Sequence, residues 1–135
     1  MKQSLPGITY IGYVPCSLLP ANILQKYQAG VPVGIFQIPT DVEHYGNAKC
    51  EAEQEYDNGS YSEKAALSFT TTVNIPNFKH LAFVVTSAEG QSYVIGQREE
   101  PFPIVEISEK INDETNIYEV QITFTRLKSL IPCDV

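Results

Sequence analysis

Apolar and polar side chains alternate with a period of two through the middle of the chain. Between residues 48 and 56, charged side chains at odd positions alternate with less polar ones at even positions, and residues 65–73 carry an apolar row. This period predicts strands with one face toward the core. Asp57–Ser60 contains Asn and Gly, which tolerate the positive φ of a tight turn. The pattern therefore predicts one long β-hairpin over Ala48–Val73.

Two further pairs of strands follow. His80–Thr86 and Ser92–Gly96 flank a short turn segment, and the near-continuous apolar content of the first predicts a central, buried strand. Ile104–Ser108 and Ile117–Arg126 are joined by a polar loop at 112–116. The second of these strands alternates cleanly, and one face carries Tyr118, Val120, Ile122 and Phe124.

The first forty residues give weaker signals. Ile8–Val14 predicts a strand with apolar groups on both faces, which indicates burial on both sides or an interface on one. Ser17–Gly30 predicts either a short helix, capped by its serine and ended by its glycine, or a structured loop. Val31–Ile38 predicts a strand that starts at an edge or a bulge because Pro32 lacks an N–H. Pro39–Asp41 predicts a turn.

Together these elements predict an all-β fold. About eight antiparallel strands at short spacing suit a β-sandwich or a partly closed barrel, with one long hairpin and at most one short helix. The chain has 135 residues, which indicates a single domain over 1–135. Branched and aromatic residues outnumber leucine and alanine, as is typical of pleated, half-buried surfaces.

Charge and composition narrow the classes of partner. The formal net charge is −7, so a nucleic-acid groove is not expected, because phosphate binding needs clustered Lys and Arg. A basic membrane patch is disfavoured for the same reason, and no stretch approaches the ~18 apolar residues of a membrane span. The first residues lack the apolar segment of a signal peptide. These features predict a cytoplasmic protein whose three cysteines remain thiols.

Three glutamates lie along one strand of the predicted hairpin. Glu51, Glu53 and Glu55 share one face, and paired carboxylates can perform acid–base chemistry when their pKa values differ. Spacing of two along an exposed strand instead predicts a solvated row. Such a row discourages edge-to-edge aggregation, or it meets a basic partner surface.

Histidine and cysteine are too sparse to predict a metal or catalytic site. His44 and Cys50 lie near each other in sequence, and His80 lies further along, whereas zinc needs four ligands at tight spacing. A Cys–His nucleophile is open in principle, but nothing beside Cys16, Cys50 or Cys133 activates a thiol. We therefore expect no catalytic residues, no cofactor and no metal.

Eight tyrosines are many for this length, and two of them flank the first hairpin turn. Tyr56 and Tyr61 are predicted to face each other across the hairpin, where they stabilise it. Tyrosine is also enriched in protein interfaces, so the turn is a candidate partner contact. That candidate comprises Tyr56, Asp57, Asn58, Gly59, Ser60 and Tyr61.

Three segments, Glu55–Tyr61, Phe83–Gly96 and Lys128–Pro132, together resemble a group of small prophage proteins. Such proteins are encoded among the virion and tail genes of gut Bacteroides-type bacteria. The resemblance implies a non-enzymatic structural protein that assembles with copies of itself and with other virion proteins. It implies residence in the bacterial cytoplasm during assembly and then in the virion. The alternative class is a β-sandwich that binds carbohydrate or another small ligand.

Overall fold

The computed structural model describes residues 2–5, 7–31, 33–35, 39–57, 59–72, 75, 80–98, 102–111, 116–126 and 129–133. These residues form ten strands, a 3₁₀ turn at Cys16–Leu18 and a helix α1 at Ile23–Gln28. The strands are β1 (Lys2–Ser4), β2 (Ile8–Pro15), β3 (Thr40–Asp41), β4 (Tyr45–Asp57), β5 (Ser60–Thr71), β6 (Leu81–Ser87), β7 (Ser92–Ile95), β8 (Ile104–Ile111), β9 (Asn116–Arg126) and β10 (Leu130–Cys133).

The strands form two antiparallel sheets of five. One, which we call the hairpin sheet, has the order β1-β4-β5-β9-β8, and the other, the inner sheet, has the order β10-β7-β6-β2-β3. The two sheets pack as a sandwich and do not close into a barrel. The predicted all-β fold is therefore confirmed, and of its two alternatives the structure forms the sandwich. Among the described residues, no helix is long and apolar enough to cross a membrane.

The main core lies between the facing sides of the two sheets. The hairpin sheet contributes the alternate residues of β4, β5 and β9, which is why these strands show a period of two. Each fully buried aliphatic or aromatic side chain contributes about 1.5–3 kcal/mol relative to an exposed one. The largest fully buried side chains in this core are Ile11, Leu67, Ile75, Leu81, Phe83, Ile95, Ile122, Phe124 and Leu130.

The inner sheet is buried on both of its faces. Its second face packs against Leu19, Ile23, Val33 and Ile35 of the segment that follows β2, and these residues form a second apolar cluster with the sheet. Two-sided burial explains why β6 is apolar at nearly every position, and it confirms the central placement predicted for this strand.

The prediction of a strand over Val31–Ile38 is wrong for the part that the structure describes. Only Gly34 forms an isolated bridge, whereas Val31, Val33 and Ile35 lie outside any strand, and residues 32 and 36–38 are outside the described set. Val33 and Ile35 are buried because they pack on the inner sheet. Their alternation with less buried residues therefore reflects packing of one side of this segment, and not backbone pairing with a neighbouring strand. The turn predicted at Pro39–Asp41 is also wrong, since Thr40 and Asp41 pair with β2.

Ser17–Gly30 contains both of the structures that were predicted as alternatives. A 3₁₀ turn comes first, a loop follows, and α1 spans six residues. Ser17 does not cap the helix, because its N-cap residue is Asn22 in the left-handed region with φ 60°. Gly30 follows Ala29, the C-cap residue of α1, and has φ 74°, as predicted for a helix-terminating glycine.

The three hairpins are confirmed, with somewhat different bounds. The long hairpin is β4–β5 and begins three residues earlier than predicted; Val73 lies outside the described residues. The second hairpin is β6–β7, and the third is β8–β9, whose loop at 112–115 is likewise not described.

Two edge strands have no counterpart among the predictions. β1 pairs with β4 over Lys2–Ser4, and β10 pairs with β7 over Leu130–Cys133. Pro132 lies within β10, which is compatible with an edge strand because proline cannot donate to a neighbour. With β1, β3 and β10 added and the predicted strand at Val31–Ile38 removed, the number of described strands is ten and not eight.

Candidate functional site

The long hairpin extends beyond the strands on both of its sides. β1 pairs only with Glu51–Glu53 of β4, and β9 reaches along β5 only as far as Glu63. Residues 54–57 and 60–62 therefore pair only with each other among the described strands. We call residues 54–62 the hairpin tip, of which Asn58 lies outside the described residues. The hairpin tip is a two-stranded ribbon that projects from a five-stranded sheet.

Tyr56 and Tyr61 dominate the surface of the hairpin tip. They are cross-strand partners, as predicted, and their ring centroids lie 4.7 Å apart with the planes tilted by 54°. Their relative exposures are 64% and 65%, the largest among the exposed large hydrophobic residues. By the period of two, they continue the same face that carries buried Ala52 and Ala65. The core-facing row of the hairpin thus ends in two uncovered aromatic rings.

A buried polar layer separates this tyrosine pair from the core. Glu63 is only 3% exposed, and its Oε1 accepts hydrogen bonds from the backbone N–H groups of Ser129 at 3.1 Å and Leu130 at 2.9 Å. Arg126, its cross-strand partner in register, donates through Nη1 to Gln97 and lies over the ring of Phe124. These bonds fix the base of the hairpin tip to both sheets.

The turn itself agrees with the sequence analysis where it is described. Asp57 and Ser60 form the last pair of the ladder, and Gly59 has φ 80°, a backbone conformation that favours glycine. The predicted partner contact therefore lies at one protruding end of the molecule.

The row of glutamates lies on the outer face of the hairpin sheet. Glu53 and Glu55 are exposed, and Glu51 is half-buried. Glu53 stands directly opposite Lys64 on β5. Exposed pairs of this kind contribute little to stability, so the row shapes surface charge more than it supports the fold.

The structure does not bring His44, Cys50 and His80 together. His44 lies in the loop before β4, Cys50 is buried in the main core, and His80 precedes β6 with its ring stacked on Phe102 at 4.0 Å. Within the described part of the chain, no group of three His, Cys, Asp or Glu side chains could hold a metal ion.

A cleft of about 310 Å³ lies beside β3 and was not predicted. Its lining residues are Thr9, Tyr10, Ile11, Asp41, Val42, Glu43 and His44. Burial and the nearby Asp41 carboxylate raise the pKa of Tyr10 above its ordinary value of 10.0. Asp41 and Glu43 flank buried Val42. From this alternation, the sequence could have predicted that both carboxylates lie on the same side of the backbone.

A second pocket holds a Cys–His pair, the combination of residues that a nucleophilic cysteine requires. Cys16 and His80 both line it, and the backbone N–H of Cys16 donates to the carbonyl of His80 at 2.9 Å. Burial, partly offset by a backbone hydrogen bond at Gln97, raises the pKa of the Cys16 thiol to about 11. At neutral pH the thiol is protonated, whereas nucleophilic cysteines are activated as thiolates.

We expect the thiols of the folded protein to react slowly with Ellman's reagent at pH 8. All three cysteines are buried, and the pKa is raised to about 11 for Cys16 and to about 12 for Cys50, mainly by burial. For Cys16 the thiolate fraction falls about a hundredfold relative to an ordinary thiol. Fast labelling of the native protein, as fast as in urea, would contradict this expectation.

These raised pKa values also predict how stability depends on pH. The folded protein holds both thiol protons more tightly than the unfolded chain, whose thiols titrate near 9.0. Their contribution to stability is therefore complete below pH 9 and is lost as the pH rises from 9 through about 11 for Cys16 and about 12 for Cys50.

Comparison with known proteins adds no assignment. No protein-family model matches the chain, and no curated protein or solved structure matches it. The fold defines the chain as a two-sheet antiparallel β-sandwich protein, and a fold of this kind does not by itself specify a function.

Proposed function

We propose that this chain is a non-enzymatic structural protein that assembles with copies of itself through the hairpin tip. The resemblance of its hairpin segments to prophage virion and tail proteins suggests the setting. In that setting the protein accumulates in the bacterial cytoplasm during assembly and then resides in the virion, beside other virion proteins.

The observation that carries the proposal is the uncovered tyrosine pair. Tyr56 and Tyr61 lie on the core-facing side of the long hairpin, beyond the residues that pair with β1 and β9. Tyrosine is favoured in interfaces because it covers a large apolar area and keeps a polar hydroxyl. A second copy that packs on this face would continue the sandwich, and the rigid base at Glu63 limits the ordering cost of that contact.

Charge gives the proposed contact a characteristic salt dependence. The formal net charge is −7, and Glu53 and Glu55 lie on the opposite face of the same ribbon. Two copies therefore repel each other at low ionic strength. Since the Debye length shortens to about 8 Å at 0.15 M salt, screening should strengthen self-association.

Replacing Tyr56 and Tyr61 together with serine should abolish self-association and leave the fold intact. Both side chains are largely exposed, so the loss of stability is limited to their cross-strand contact, about 0.5–1.5 kcal/mol. The measurement is light scattering after size exclusion, at several protein concentrations and salt levels, with circular dichroism to follow folding.

Tyr27→Ser is the matched control, because Tyr27 is 39% exposed on α1, away from the hairpin tip. It should leave the mass in solution unchanged. If the native chain is a monomer under every condition, or if the double variant associates as well as the native chain, the proposed contact is wrong.

A further inference from the structure

A pocket of about 280 Å³ opens on the side of the molecule opposite the hairpin sheet. Its lining residues are Pro15, Cys16, Ser17, His80, Arg98 and Phe102. Cys16 belongs to the second apolar cluster, and Phe102 packs against that cluster. The pocket thus lies where the covering segment meets the start of β6, apart from the hairpin tip.

Two basic side chains line this pocket in a strongly acidic chain. The sequence contains two arginines and two histidines, and Arg98 and His80 are one of each. Among the described lining residues none carries a carboxylate. Burial raises the pKa of Cys16, so its thiol adds no negative charge at neutral pH. The described lining therefore contains the Arg98 guanidinium and no carboxylate, in contrast to the acidic outer face of the hairpin sheet; Glu99 and Glu100, which follow Arg98 in the sequence, lie outside the described residues.

An apolar part of the lining accompanies the Arg98 guanidinium. The rings of His80 and Phe102 stack at 4.0 Å with only 14° between their planes, and Pro15 lines the same pocket. The hydrogen bond between the backbones of Cys16 and His80 holds the two segments together. Gln97, next to Arg98, accepts a hydrogen bond from Arg126, which fixes the chain just before the guanidinium.

We propose that this pocket binds a small organic anion, namely a carboxylate that carries a planar apolar group. The guanidinium of Arg98 pairs with the carboxylate, since its planar donors match two carboxylate oxygens. The planar group of the ligand lies against the stacked rings of His80 and Phe102. Ligand pockets commonly combine apolar walls with a few polar groups in this way.

Sodium benzoate is the probe for this site, and benzyl alcohol is its uncharged counterpart. In a titration of the ¹⁵N-labelled full chain, benzoate should produce saturable shifts of the amide signals of Cys16, Ser17, His80, Arg98 and Phe102. Binding of benzyl alcohol should be weaker by about tenfold, because the hydrogen-bonded charge pair is lost. Acetate, which lacks the ring, should also bind more weakly.

Arg98→Gln should reduce the affinity for benzoate by about tenfold. Lys64→Gln is the matched control, because it removes the same charge from the outer face of the hairpin sheet and should leave binding unchanged. Equal affinities for benzoate and benzyl alcohol, equal behaviour of the two variants, or shifts confined to other residues would each overturn the proposal. The Tyr56→Ser/Tyr61→Ser protein should still bind benzoate, so this site is tested independently of self-association.

Discussion

Replacing Gly96 with alanine is expected to lower the free energy of unfolding by about 3–5 kcal/mol. Gly96 is buried directly after β7 and has φ 136°, a backbone conformation that L-residues rarely adopt. An added Cβ would lie 2.6 Å from the Cβ of Ala82 and 3.1 Å from its Cα. Strain and steric overlap therefore add at one position, in a domain whose whole stability is typically about 5–15 kcal/mol.

Urea unfolding followed by circular dichroism measures this loss, and Gly90→Ala separates its two causes. Gly90 also has a positive φ, 88°, but no atom lies within 4 Å of its ideal Cβ. Its replacement should cost about 1 kcal/mol, from backbone strain alone. Equal losses at Gly96 and Gly90 would show that the close approach to Ala82 has no energetic weight.

A second variant tests the same contact from its other side. Ala82→Gly removes one of the two overlapping Cβ atoms, and it should cost less in the Gly96→Ala protein than in the native one. Coupling of about 0.5–3 kcal/mol is usual for residues in contact. Additive effects of the two substitutions would contradict the steric explanation.

The local elements of this fold are predictable because their signals are local. Period-two alternation and turn-forming residues define the hairpins β4–β5, β6–β7 and β8–β9, and each partner strand is the next one in the chain. By contrast, β1, β3 and β10 are two to four residues long and pair with strands that lie elsewhere in the sequence. No pattern within so few residues specifies a partner.

The same distinction applies to the candidate sites. The pairing of Tyr56 with Tyr61 is predictable from the position of the hairpin turn. Their position beyond the neighbouring strands is not, because it depends on where β1 and β9 end in the assembled sheet. The pocket that we propose for an anion is formed by residues 15–17 together with His80, Arg98 and Phe102. No sequence motif links these residues, so the pocket could not be predicted. The burial of Glu63 was predictable from the sequence, since Glu63 occupies the same face of the strand as buried Ala65.

Glu63→Ala is expected to destabilise the protein by about 3–5 kcal/mol. The Glu63 carboxylate accepts the backbone N–H groups of Ser129 and Leu130 at 3.1 and 2.9 Å, and all three residues are buried. Alanine would leave these two donors without this acceptor, and each buried unsatisfied donor costs about 1–3 kcal/mol. Urea unfolding gives the loss of stability, and amide hydrogen exchange should show faster exchange at Ser129 and Leu130.

Glu63→Gln separates the acceptor role of this side chain from its charge. Glutamine retains a carbonyl oxygen and nearly the same volume, so the loss should fall to about 1–2 kcal/mol, the difference between a charged and a neutral acceptor. Glu106→Ala, at an exposed position of β8, is the control and should change stability by less than about 0.5 kcal/mol. If Glu63→Ala behaves like Glu106→Ala, the carboxylate does not hold β10 in place. If it behaves as expected, the Glu63 carboxylate joins β5 of the hairpin sheet to β10 of the inner sheet, in addition to the bond from the Ser129 hydroxyl to the Glu63 carbonyl. The base of the hairpin tip then owes part of its rigidity to this carboxylate.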